Sequence, residues 1–391
     1  MTRPLLSRRS LLLSAASALA CGQRKSTPFA GYCFIANQGG NSVAAVDLEH
    51  FRVRRRIPLE GSPRLVLAHP RGDPAIYVLA PDAGTVYEIN CGSLAVNRRA
   101  KAGGQAISMR AAPAGDALWV LYREPAMLLE LDLKSMKPRN RILLRSAADS
   151  FEVSWPRDSE PEPLAAVCTA RDQSVTLVSL RNGRQRPIAL RAEPSLVAFR
   201  KDNQLVMVGS GPERTLAMFD TATARRVVRL PLPLAPRYFQ QNSDGWLFMT
   251  GDGMDAVVIA FPSSTEVWQT VLAGRAPGAM AVAEQADGTV YLLVANPQTA
   301  NVTVLDVTYD PRLLGVIEVG QSPCQILLTP GKRPDEQFVL VLNQQSGDLA
   351  VIRMLALTEP QLSAKPRFKS ASLLTMIPVG EQPVSGAVIA L

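Results

Sequence analysis

Residues 383–391 read PVSGAVIAL, small and aliphatic residues in alternation with no polar tail after them. A period of two with β-branched residues is the pattern of a strand with a buried face. An isolated strand cannot stay unpaired, so this one needs a sheet to join. The nearest match to its setting lies at the other end of the chain. VSGAVIAL (384–391) follows PVGEQP (378–383) just as PRLVLAHP (63–70) follows PLEGS (58–62).

Between these ends the sequence repeats itself. NSVAAVDLEHFRVRRRIPLEGSPRLVLAHPRGDPAIYVLA (41–80) begins a pattern. It recurs as GTVYEINCGSLAVNRRAKAGGQAISMRAAPAGDALWVLY (84–122), and again from Pro277 to Pro323. Each unit holds four short pieces. A small apolar strand follows Pro or Gly. A second strand is rich in Val, Leu and aromatics. A third tends to end in Asp, and a fourth is polar and basic. The first-strand anchors are Pro63, Ala106, Ser150, Pro194, Pro236, Pro277 and Pro323, in steps of 43, 44, 44, 42, 41 and 46 residues. Four strands in about 40–45 residues is the signature of a propeller blade.

The first unit has only three strands, YCFIAN (32–37), SVAAVDLE (42–49) and RVRRRIPL (52–59), and lacks an inner one. Strand 384–391 is expected to supply it, closing the ring and removing the open edge. That predicts an all-β, eight-bladed β-propeller in one domain over residues 32–391. Seven blades is the alternative, if two weak units share a blade; the unit around Asp149–Glu193 is the least regular. TEPQLSAKPRFK (358–369) reads as a surface loop between the third and fourth strands of the last unit.

Composition agrees with a large globular core: of 391 residues, 47% are hydrophobic and 19% charged. The 26 glycines and 30 prolines are scattered, which cuts the chain into strands and turns rather than long helices. Three of the +8 formal charges are Arg3, Arg8 and Arg9, which leaves about +5 elsewhere. The basic runs RVRRR, NRRAK, RNGRQR and ARRVVR read as solvated outer strands. No basic stripe interleaved with aromatics suggests nucleic-acid binding.

Residues 1–21, MTRPLLSRRSLLLSAASALAC, have a signal-peptide layout: a basic start, a short apolar run and small residues. The paired Arg8 and Arg9 before leucines fit a twin-arginine signal; the other reading is an ordinary secretory signal. ALAC offers Cys21 for lipidation, although Leu19 stands two rather than three positions before it; the other reading is cleavage nearby. Residues 22–31 would then be a tether. The remaining Cys33, Cys91, Cys168 and Cys324 show no disulfide or zinc spacing and read as buried thiols.

FIANQGGNSVAAVDLE (34–49), YLLVANPQTANVTVLDVT (291–308), GVIEVGQSP (315–323) and TMIPVGEQP (375–383) resemble the YVTN-type β-propeller repeat. The resemblance is strong in the first and last two units. It is degenerate between them, where AAVCT and VMVGS replace the tetrad. It implies a propeller outside the cytoplasm, often attached to the cell surface, and implies no reaction. In it Asn37, Asn296 and Asn343 are turn-stabilising residues.

A propeller's ligands meet loops at the mouth of its channel. The candidate contacts are Arg64, Arg237, Tyr238, Gln325, Asn37 and Asn296, with Gln38, Arg171, Asp172, Asp252, Asp255 and Gln344 behind them. With only His50 and His69, a multi-histidine metal centre is not available. One histidine, His69, could still bind haem axially. Haem d1 propellers share the blade count and periplasmic location, an analogy of fold alone. Asp47, Asp132, Asp220 and Asp306 recur at one place in the repeat and read as turn anchors, not catalysts. Trp119, Trp155, Trp246 and Trp268 occupy no common place and read as packing residues. No catalytic residues and no metal site emerge. The expectation is a monomeric, exported, lipid-anchored, non-enzymatic scaffold without a cofactor. It binds a protein, peptide or glycan at the cell envelope and does not bind nucleic acid. The alternatives are a haem or other redox-cofactor protein of the periplasm and a lactonase-like hydrolase.

Overall fold

The computed structural model describes residues 29–101, 104–157, 162–261, 265–331, 337–357 and 367–391. The signal region 1–21 and most of the tether lie outside them. Among the described residues there are only strands and turns, arranged as eight four-stranded antiparallel sheets. We letter the strands of each blade a to d from the axis outwards. The a strands of blades 2 to 8 are Leu65–Ala68, Ala106–Ala111, Ser150–Val153, Leu196–Phe199, Ala235–Gln241, Met280–Glu284 and Pro323–Leu328. Blade 1 takes its a strand from the far end of the chain: Pro383–Ala390 pairs with Gly31–Asn37, Tyr32 opposite Ile389 and Phe34 opposite Ala387. Each a strand contacts its neighbours on both sides, Pro383–Ala390 touching those of blades 2 and 8, so the ring is closed.

There is no single core. Eight apolar clusters each lie between two adjacent blades, and the last, with Cys33 and Ile35 against Leu340 and Leu342, joins blade 8 to blade 1. A blade is therefore covered on both faces. Its b and c strands are therefore apolar on both faces over most of their length, as Ala117–Tyr122 is throughout. The d strands are largely exposed, but one aliphatic residue near the end of each of six of them reaches the blade interface: Ile57, Ile142, Ile188, Leu230, Ile317 and Ile377 are all buried.

The basic d strands are only partly solvated. Arg55 donates to the carbonyl of Ser93 (3.2 Å), Arg98 to Leu133 (2.9 Å) and Lys134, and Arg186 to Thr221 (2.6 Å) and Ala222. In every case the acceptor sits in the c–d turn of the next blade. Arg98 is also held by the buried Glu88 of its own blade.

Two further corrections concern boundaries. Gly31, read as tether, begins the first strand, and Phe29 packs on the cluster between blades 8 and 1. In blade 8 the c and d strands run to Asp348–Leu357 and Arg367–Pro378. Arg367, Phe368 and Lys369 are therefore strand rather than loop: Arg367 pairs with Leu357 and Phe368 with Ala356, and Lys369 is the extra residue of a β-bulge. The rest of that loop lies outside the described residues.

The recurrent aspartates close the c–d turns. Asp132 accepts from the hydroxyl and N–H of Ser135 (both 2.7 Å) and from Arg139. Asp220 accepts likewise from Thr223, and Asp47 from Glu49 and His50. The Ser135 hydroxyl and the Arg139 guanidinium hold the Asp132 carboxyl down at about 2. The Thr223 hydroxyl lowers Asp220 too. A carboxylate lowered in the folded state stabilises at every pH above its unfolded value, about 4, and loses that contribution as pH falls through its folded value. Melting temperature should therefore fall between about pH 4 and 2. Asp132→Asn keeps a turn-capping oxygen but cannot titrate, so melts at pH 5, 3 and 2 should show a shallower decline. An unchanged slope would refute this assignment.

Candidate functional site

The d–a connections and b–c turns of all blades share one face of the disc, here the upper face. Two hollows among the described residues open there. The larger, about 1040 Å³, spans blades 2 to 4 and gathers Arg64, Asp82, Gln105, Arg123, Glu124 and Asp149. Both carboxylate oxygens of Asp82 accept the N–H of Ser62 (2.8 and 2.9 Å). Arg123 pairs with Asp149 at 2.8 Å, and the other oxygen of Asp149 accepts from the N–H of Ala170. Gly104 makes the close approach possible: its φ is +87°, and a Cβ there would lie 2.3 Å from the Glu124 carbonyl oxygen.

The second hollow, about 470 Å³, lies at blades 6 and 7. In a ring of eight that places it across the axis from the first. Its key residues come from a β-bulge. Pro236 pairs with Gly251 and Tyr238 with Thr250, leaving Arg237 as the extra residue. Bulges re-aim side chains. Here Arg237 meets Asp252 at 2.6 Å with both side chains more than 60% exposed, and Tyr238 stands beside them, also exposed. Asp255 lines the same hollow and caps the N–H of Ala276 (3.0 Å). An ion pair this exposed adds little stability. Its charged groups stand open to solvent.

Of the six leading sequence candidates, Arg237 and Tyr238 come together, and Arg64 stands in the opposite hollow. The other three are not presented to a ligand. Gln325 spends its side-chain oxygen on the N–H of Gly386 (2.7 Å), linking blade 8 to the strand that closes blade 1. Asn37 and Asn296 are fully buried. Asn37 donates to the carbonyl of Val379 (2.9 Å). Asn296 donates to Asn301 and Thr303 across its own hairpin and accepts from Gly274 of the preceding blade (3.0 Å). These asparagines join blades as well as bracing turns. Among the lesser candidates, Gln38 and Gln344 use backbone N–H groups to tie b–c turns to d–a loops, and Arg171 and Asp172 remain exposed turn residues. Asp82, Arg123, Glu124 and Asp149 are not among the sequence candidates, although charged b–c tips such as RE (123–124) are a signal for them.

The histidines are engaged elsewhere. His69 Nδ1 accepts from the N–H of Arg71 (3.2 Å), Nε2 faces Asp73 (3.4 Å), and the ring packs on Tyr77. His50 pairs with Asp47 at an outer turn. Among the described residues no cluster of three or more His, Cys, Asp or Glu is arranged to hold a metal ion. The thiols of Cys33, Cys91 and Cys168 are buried and that of Cys324 partly so. Burial pushes Cys33 and Cys168 up to about 12 and Cys91 and Cys324 to about 11. These thiols are poor nucleophiles.

Fold and mouth together define the class: an eight-bladed β-propeller with charged and aromatic side chains collected at one end of its channel. No protein-family model and no curated protein matches the chain. Solved structures do. The dihydro-haem d1 dehydrogenase NirN, in complex with DHE, has a TM-score of 0.66 over 95% of this chain and 78% of that one, at 13% identity. Hydrazine synthase from Kuenenia stuttgartiensis gives 0.51 over 86% and 98%, at 17% identity. A functionally unknown protein from Desulfotomaculum acetoxidans gives 0.53 over 92% and 99%, at 12% identity. At such identities the likeness is one of fold.

Proposed function

We propose that this propeller is an exported, membrane-anchored binding module that takes a polypeptide segment of a partner across its upper face. The observation that carries the reading is the pair of opposed polar hollows. Arg237, Tyr238 and Asp252 on one side face Arg64, Asp82 and Glu124 on the other. Both hollows mix positive and negative groups, which suits a chain of amides with charges of either sign rather than one anion or cation. Aromatic and arginine anchors are the side chains that dominate such contacts.

The rival is a haem protein, favoured by the fold likeness to the NirN complex with DHE. The residues do not fit an axial histidine: His69 Nδ1 accepts the N–H of Arg71, which leaves the proton of the neutral ring on Nε2, and His50 lies on an outer turn. Two measurements decide between the readings. Protein purified from its own host should give an ultraviolet–visible spectrum without a haem band. On an array of random 12-residue peptides, the double variant Arg237→Ala/Tyr238→Ala should lose signal by about tenfold or more, while Leu313→Ala on the rim should not. A haem band, or peptide binding indifferent to the face variants, would overturn the proposal.

A further inference from the structure

The opposite mouth of the channel holds a third hollow, of about 370 Å³, built from the a–b ends of blades 3 to 6. Its wall includes Trp155, Phe199 and Phe239 and its polar floor is Arg110 and Glu152. Trp155 is 44% exposed, unlike the buried Trp119. It is nonetheless fixed at three atoms. Its N–H donates to Asn203 Oδ1 (2.8 Å), its carbonyl accepts from Asn203 Nδ2 (2.9 Å), and its indole N–H donates to the carbonyl of Phe199 (3.0 Å). With its polar atom turned inward, the indole offers only ring carbon to the hollow. That is a rigid stacking platform whose ordering cost was met on folding.

The floor is charge-balanced. Arg110 Nε donates to both oxygens of Glu152 (2.9 and 3.0 Å), and Nη1 donates to Ser108 and to the carbonyl of Met109. Both side chains keep 31% exposure, so further donor and acceptor capacity stands side by side. The chemistry selects a ligand by elimination. An ion finds no uncompensated charge. A flat aromatic would stack on Trp155 but desolvate the remaining donor and acceptor positions of Arg110 and Glu152 without meeting them, which is costly. A neutral ring with one C–H face and a hydroxyl edge satisfies both parts, because vicinal hydroxyls each donate and accept.

We propose that the lower mouth is a carbohydrate subsite, with a neutral pyranose stacked on Trp155 and its hydroxyls bonded to Arg110 and Glu152. The volume suits one or two sugar rings at the small end of ligand pockets. This site is separate from the upper face and stands or falls independently of it. The test titrates full-length protein with maltose, cellobiose and N,N′-diacetylchitobiose, followed by tryptophan fluorescence and calorimetry. At least one should bind saturably in the millimolar range. Trp155→Ala should weaken it about tenfold or more, and Glu152→Gln, which keeps the shape of the floor, several-fold with unchanged melting. Arg237→Ala/Tyr238→Ala should leave sugar binding as it is. Failure of all three sugars to bind, or binding that survives both lower-mouth variants, overturns the proposal. So does Trp155-dependent binding of indole or a porphyrin in their place.

Discussion

A chain shortened to residue 383 should lose the cooperative melt of the whole disc, whereas loss of Leu391 alone should change little. Pro383–Ala390 is a complete inner strand with Ser385, Ala387 and Ile389 buried, and Leu391 is 66% exposed. Its removal strips one face from the cluster that joins blades 1 and 2 and bares the edge of Gly31–Asn37. It also deletes two ties between blades: the Gly386 N–H to Gln325, and the Ser385 hydroxyl that accepts from Val66 (3.1 Å). Two or three aliphatic side chains and a strand ladder come to roughly 5 kcal/mol or more, comparable to the whole stability of many proteins. Calorimetry and limited proteolysis should show an early transition with cleavage in blade 1. A truncated protein melting like the parent would mean that the ring does not depend on this strand.

The second large effect is expected at the joint between blades 6 and 7. A Cβ on Gly274 would lie 2.5 Å from Asn296 Cγ and 2.7 Å from its Cβ and Nδ2. Asn296 cannot yield, being fully buried and hydrogen-bonded on three sides. Gly274→Ala should cost about 2–3 kcal/mol by overpacking. The same contact recurs where a Cβ on Gly380 would meet Asn37 at 2.8 Å and one on Gly320 would meet Asn343 at 2.8 Å. If the clash is with the asparagine, Gly274→Ala in an Asn296→Gly background should cost much less than it does alone, and the cycle should be strongly non-additive. Strict additivity of the two chemical-denaturation midpoints would place the strain elsewhere.

These joints mark the limit of what could be read from the chain. The blades were legible because local rules fix them. Strands covered on both faces give unbroken apolar runs, and turn residues punctuate them. Ala106, Ser150 and Pro323 begin inner strands, and Pro63 and Pro194 stand two residues before theirs. The partners of polar groups were not legible. Asn37 bonds to Val379 and Gln325 to Gly386, at separations of 342 and 61 residues, and nothing local tells a buried staple from an exposed contact. The same holds for the d-strand arginines, whose acceptors lie on the next blade. Arg237 and Tyr238 are legible because they follow a d–a turn, just after Pro236. The bulge that presents them depends on Gly251, where a Cβ would collide with the Ala235 carbonyl oxygen at 1.9 Å. In sequence Trp155 reads as a packing tryptophan; what sets it apart is the long-range bond of its indole N–H to the Phe199 carbonyl.

The shared first blade also sets a clock. Phe34 and Ile35 leave the ribosome some 350 residues ahead of the strand that will cover them. At ordinary synthesis rates that is a wait of roughly 20–70 s with an apolar strand edge unpaired. Seven blades can assemble in order as they emerge, yet the first blade cannot be completed until residues 384–391 have left the ribosome. Until then the nascent chain is an open arc whose first blade offers an unpaired edge to mispairing and to chaperones.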